Sequence, residues 1–191
     1  MDGTVPHWFD FVSPDSYVAQ DRTALLRRAG RDVVDLPLLT RPEAGRYGAP
    51  ARLRAGHAYR RVTAAAREAG LPLRWPARVP DPRLAHAAAE VVRDEEPEAH
   101  ADLVAAVFQA HFAHGHDIGD LGVLQACATR VGLHPVVLAP LAAGARVVDE
   151  HLRAARALAR TYEVTVAPTW LIDGHLVSGL QPRGSFASLA R

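Results

Sequence analysis

Strand-like runs occur only at the two ends of this 191-residue chain, and roughly a hundred residues of helical pattern separate them. That order restricts the fold more than any other feature. His7 to Val12 is short, aromatic and β-branched, and it stops at a turn signal, so it reads as a buried strand. Ser13 has the chemistry of an N-cap, with Pro14 at the first helical position and Asp15 in the first turn. The helix they open is expected from Pro14 to Ala29, with Gly30 as its stop. Val33 to Leu39 is a second apolar strand, which completes a βαβ unit. Strand character returns only after Tyr162. Thr169–Ile172 and Leu176–Ser178 flank Asp173-Gly174, a two-residue hairpin signal, and a final helix is expected from Gly184.

Between these ends, a loop rich in Arg, Pro and Gly covers 40–55, and a helix over 56–69 stops at Gly70. Asp81-Pro82 opens a helix toward Glu96, and Pro97 opens the next. That helix carries Leu103, Val104, Val107, Phe108 and Phe112 at helical spacing and ends at Gly115. Asp120 caps a short helix that stops at Gly132, and His134-Pro135 begins another. Arg146 to Thr161 reads as one last long helix. No repeat or interdomain linker interrupts the chain. The expectation is one α/β domain with a core over residues 5–40 and 162–191, split by an all-helical insertion over 56–161.

Composition removes several functions. The single cysteine, Cys127, cannot form an internal disulfide, so the chain needs no oxidising compartment. The formal net charge of +1 gives no basic stripe for nucleic acid. No apolar run approaches a bilayer span, no basic-then-apolar secretory leader is visible, and the cytoplasm is the expected setting. The chain contains no lysine, which excludes Schiff-base chemistry.

Phe9-Asp10-Phe11-Val12-Ser13-Pro14-Asp15-Ser16-Tyr17 resembles the opening of 2-hydroxychromene-2-carboxylate isomerases and kappa-class glutathione transferases. Gly115-His116-Asp117-Ile118 resembles a segment of the helical insertion in the same superfamily, and Val164 to Gly174 resembles the segment that carries its cis-proline. Ser178-Gly179-Leu180-Gln181-Pro182 is similar to the FrnE-like branch instead. The whole chain thus resembles the DsbA-like thioredoxin-fold family, an α/β fold of order βαβ…ββα with a helical insertion. Ser13-Pro14-Asp15-Ser16 stands where the redox branch has Cys-x-x-Cys.

The resemblance implies an oxidoreductase by descent that lacks thiol–disulfide chemistry. It implies glutathione as the external thiol, with a small aromatic substrate for isomerisation or transfer. A helix N-terminus favours a nearby anion, and Ser13 would donate a hydrogen bond to the glutathione thiolate. The backbone beside Pro168, with Ala167 before it, would pair with the ligand, and Gly179 would let the ligand approach. Two departures stand against this. Asp15 in the first turn would repel a thiolate, and Leu180-Gln181-Pro182 departs from the isomerase pattern. The alternative is a catalytically inactive thioredoxin-fold module that binds a peptide or small molecule. Ser-Pro-Asp is also an ordinary helix cap, and Ser16 reads as structural.

Arg41, Arg46, Arg52, Arg54, Arg60 and Arg61 crowd one region and either form a solvated face or recognise a carboxylate. His111, His114 and His116 permit a metal by spacing, but the chain offers no second ligand cluster, and no metal is expected. Apolar helix faces would support a homodimer.

Overall fold

The computed structural model describes residues 4–40, 49–50 and 56–189. Strands from both ends of the chain share one four-stranded sheet. β1 (Thr4–Phe9) is followed by α1 (Pro14–Arg28) and β2 (Asp32–Pro37), while β5 (Thr169–Ile172) and β6 (His175–Ser178) form the C-terminal hairpin. The order is β2-β1-β5-β6. β1 runs parallel to β2, with His7 opposite Asp35, and antiparallel to β5, with His7 opposite Trp170. The parallel β1–β2 pair follows from the helical crossover, and the antiparallel β5–β6 pair from the tight turn that joins those two strands. Asp173 and Gly174 both take positive φ, 49° and 83°, as a two-residue hairpin of this twist requires.

Alternation along β1 divides the core. Val5 packs with Ala19 and Leu26 of α1, with Trp170, and with Phe186 of the C-terminal helix. Trp8 points to the other face, with Leu36, Ala159, Val164 and Leu171. Helices therefore cover both faces of the sheet.

Between the sheet halves lie β3 (Ala49–Pro50), α2 (His57–Glu68), β4 (Arg78–Val79), α3 (Arg83–Glu95), α4 (Pro97–Phe112) and α5 (Leu121–Arg130). A 3-10 helix (Pro135–Ala143), α6 (Ala145–His151) and α7 (Arg153–Thr161) follow, and α8 (Arg183–Leu189) comes after β6. The helices of the insertion share a core that includes Leu103, Val107, Phe108, Phe112, Leu124 and Leu138. Phe9, Phe11, Tyr17 and Val18 belong to the same core, so the end of β1 and the start of α1 are wedged against the insertion.

Several elements differ from the sequence reading. β2 covers Asp32–Pro37, where a strand from Val33 to Leu39 was expected. β1 ends at Phe9, because Asp10 turns the chain with its carboxylate while Phe11 stays buried in the insertion core. Residues 49–50 pair antiparallel with Arg78–Val79, where only loop was expected. Pro140 lies inside the helix opened by His134-Pro135, and that segment is 3-10. The long helix over 146–161 is two helices meeting at Leu152. Val148 and Leu152 pack into the insertion core, whereas Ala159 packs on the sheet, so one straight helix would not serve both.

Candidate functional site

Two loops meet at the start of α1. On one side, Ser13 is the N-cap, and its Oγ accepts the Ser16 amide at 3.2 Å. Ser13 Oγ also donates to the Ala167 carbonyl at 3.4 Å, across 154 residues of sequence. On the other side, the Ala167–Pro168 peptide is cis. The proline loop is braced from behind. The Gly179 amide donates to the Pro168 carbonyl at 2.7 Å, and Thr169 Oγ1 donates to the Val166 carbonyl at 2.7 Å. Ser13, Ala167, Pro168 and Gly179 are thus joined by hydrogen bonds and by one proline. Gly179 has φ +77°, and a Cβ there would meet no atom within 4 Å. What this position requires of glycine is its backbone conformation.

The Asp10–Ser13 turn beneath Ser13 is held by buried groups that the sequence reading did not single out. The Ser13 amide donates to the Asp10 carbonyl at 2.9 Å. The Asp10 carboxylate accepts from the Val12 amide at 3.1 Å, the Thr40 amide at 3.1 Å and Thr40 Oγ1 at 2.6 Å. His86 Nε2 lies 3.4 Å from Asp10 Oδ1, and both side chains are fully buried. Burial alone would raise the Asp10 pKa, but the hydrogen bond and charge of His86, with Thr40 and Val12, hold it below the ordinary value. Asp10 is part of the Phe-Asp-Phe run, which was its visible signal. Thr40 and His86 come from distant segments and carry no such signal. Ser16 is buried and its Oγ accepts the Asp10 amide at 3.2 Å, so its role is structural.

Asp15 does not face the site as a lone charge. Nη2 of Arg61, on α2, donates to both of its oxygens at 2.8 and 3.0 Å. Helix α2 is seated by buried Val62 and Ala66, and the Trp75 ring stacks on Tyr59 at 4.6 Å. The pair offsets the repulsion that Asp15 would exert on an anion at the helix start. Of the other arginines in that region, Arg41, Arg46, Arg52 and Arg54 lie outside the described residues.

His111, near the end of α4, does not join His114 and His116, which lie beyond that helix with their ring centroids 5.8 Å apart. His111 is buried beneath Phe112, its Nδ1 3.4 Å from the His116 carbonyl, while His114 and His116 are exposed. Among the described residues, no three His, Cys, Asp or Glu side chains come together to hold a metal. Cys127 is buried, its Sγ 3.8 Å from the Ala106 carbonyl, and burial pushes its thiol pKa up. It lies on α5, outside both loops. A separate depression lined by Asp81, Arg83, Leu84, Gly119 and Val148 lies in the insertion, and none of its residues belongs to either loop.

The family model of the DSBA-like thioredoxin domain matches residues 4–189. The chain belongs to this family. Solved structures agree with the DSBA-like fold. A probable DsbA oxidoreductase from Streptomyces coelicolor superposes with a TM-score of 0.84 at 22% identity, covering 98% of this chain and 88% of that one. A 2-hydroxychromene-2-carboxylate isomerase matches with a TM-score of 0.71 at 20% identity, covering 93% and 89%. The cytosolic disulfide reductase DsbM from Pseudomonas aeruginosa, solved with glutathione, matches with a TM-score of 0.68 at 17% identity, covering 97% and 96%. Among functionally curated proteins, none matches this chain in sequence. With one cysteine, this DSBA-like domain has no Cys-x-x-Cys pair.

Proposed function

We propose that this DSBA-like domain binds an external thiol, glutathione, at the start of α1 and acts as a glutathione-dependent isomerase or transferase on a small aromatic substrate. The observation that carries the reading is the position of Ser13. Its hydroxyl occupies the N-cap of α1 and reaches the carbonyl before the cis-proline. A thiolate placed there meets the Ser13 hydroxyl and the positive end of α1, and both lower its pKa. Ser13 stabilises the sulfur and is not itself a nucleophile. In isomerisation the thiolate forms a C–S bond to a conjugated alkene carbon, and the displaced electron pair moves onto the substrate. The bond rotates, the C–S bond breaks, and the thiolate leaves unchanged. Ala167 and Pro168 would present the backbone edge for the tripeptide, and Gly179 fixes the carbonyl of Pro168.

The likeness to an isomerase and to a reductase solved with glutathione supports this reading at the level of fold. A cytoplasmic setting belongs to the same proposal. Among the described residues, no helix is long and apolar enough to cross a membrane. The second reading is a binding module without chemistry. It is favoured by the bond from Ser13 Oγ to Ala167, which already engages the hydroxyl.

Calorimetric titration with reduced glutathione, beside Ser13→Ala, tests the proposal. Binding that weakens about tenfold in the variant is the expected outcome. No binding to the wild-type protein refutes the thiol site and leaves the module. Insulin reduction should be undetectable, and a robust rate would overturn the assignment of Ser13 and Ser16.

A further inference from the structure

The contact between Asp15 and Arg61 is not the forked pair that an arginine and a carboxylate usually make. A forked pair uses two nitrogens. Here a single nitrogen, Nη2, serves both oxygens of Asp15. Nη1 and Nε of Arg61 have no partner among the described residues. The two side chains are 38% and 30% exposed, so the pair adds little to stability. It leaves a partly exposed guanidinium beside a partly exposed carboxylate, and Asp15 is two residues along α1 from Ser13.

Such a surface discriminates by repulsion as well as attraction. A simple anion that docks on the free Arg61 edge meets Asp15. A simple cation that docks on Asp15 meets Arg61 and the positive end of α1. A group that carries both charges on adjacent atoms satisfies both. We propose that Asp15 and Arg61 recognise the zwitterionic end of an amino acid on the ligand whose thiol reaches Ser13. The ammonium group donates to the Asp15 oxygens, and the α-carboxylate accepts from Nη1–H and Nε–H of Arg61. This rests on the reading of the site as a thiol site and narrows its ligands to thiols with a free α-amino-carboxylate. It also gives Asp15, which the sequence sets against thiolate binding, a positive role.

The test compares reduced glutathione with glutathione acetylated on its amine, in the wild-type protein, Asp15→Asn, Arg61→Gln and Ser13→Ala. Acetylation should weaken wild-type binding about tenfold. Asp15→Asn should bind the two ligands within about twofold of each other, and Arg61→Gln should weaken both. Ser13→Ala should weaken both while keeping the preference for the free amine. Each preference is a ratio within one variant, so a partly unfolded sample does not alter it. Equal wild-type affinity for the two ligands, or a full preference retained in Asp15→Asn, overturns the inference and leaves the thiol site standing. A wild-type protein that binds neither ligand overturns the thiol site itself, and the inference with it.

Discussion

Replacing Glu90 by glutamine should stabilise the protein in mildly alkaline solution and change it far less in acid. Glu90 lies on α3, almost fully buried. One oxygen accepts from Arg93, and the other, Oε1, has no hydrogen-bond partner. Burial pushes its pKa from the ordinary 4.5 up to about 7, against the opposing pull of Arg93 and with a small push from Asp94. Over that interval the unfolded chain has released the proton while the folded protein still holds it. Stability from this group is therefore full below the ordinary value and is lost as pH rises through the folded one. Between about pH 5 and about pH 8 the loss amounts to roughly 2–3 kcal/mol. Glutamine keeps the shape and an acceptor for Arg93 and has no proton to lose. His100 and His111, whose pKa values burial lowers, give slopes of the opposite sign that cancel in the difference between wild type and variant. Urea denaturation at both pH values reads the effect, as does a relative shift in Tm of about 5–10 °C. An offset between wild type and Glu90→Gln that is the same at both pH values would refute the reasoning.

Asp35 governs the acid limb: burial opposes its ionisation, but His7 and Arg27 together hold its pKa at about 2. Its contribution is present above the ordinary 3.8 and is lost as pH falls through about 2, so Asp35→Asn should flatten acid unfolding by roughly 2 kcal/mol in a denaturation series. Asp10→Ala should cost about 3–5 kcal/mol in chemical denaturation, because it strands His86 and three donors in the interior. A loss under 1 kcal/mol would mean that the Asp10–Ser13 turn is held some other way. Gly179→Ala should lower stability by about 1–2 kcal/mol through its positive φ alone, since its Cβ has open space, and an unchanged Tm would disprove that cost.

Short-range chemistry was legible in the sequence. Ser13 and Gly30 bracket α1, and Asp173-Gly174 turns the hairpin, because caps and two-residue turns are decided within a few residues. The end of β1 was not legible. Phe11 and Val12 continue an apolar run, and only a carboxylate gathering Thr40 and His86 turns the chain at Asp10. The break between α6 and α7 follows from which core each half meets, which periodicity along one helix does not record. The same holds at the site. Ser13 and Pro168 were visible as local motifs, whereas the partnership of Arg61 with Asp15 joins residues 46 positions apart.

The pairing of β1 with β5 also bears on how the protein is made. The two strands lie about 160 residues apart in sequence, and β1 sits between β2 and β5 in the sheet. While the ribosome extends the chain, β1 and β2 emerge early, and the insertion helices can pack as they appear. One flank of β1 stays without its neighbour until the C-terminal hairpin is synthesised. A nascent chain stalled before Thr169 therefore presents an open strand edge carrying Trp8, a surface suited to chaperone capture or to pairing with another unfinished copy.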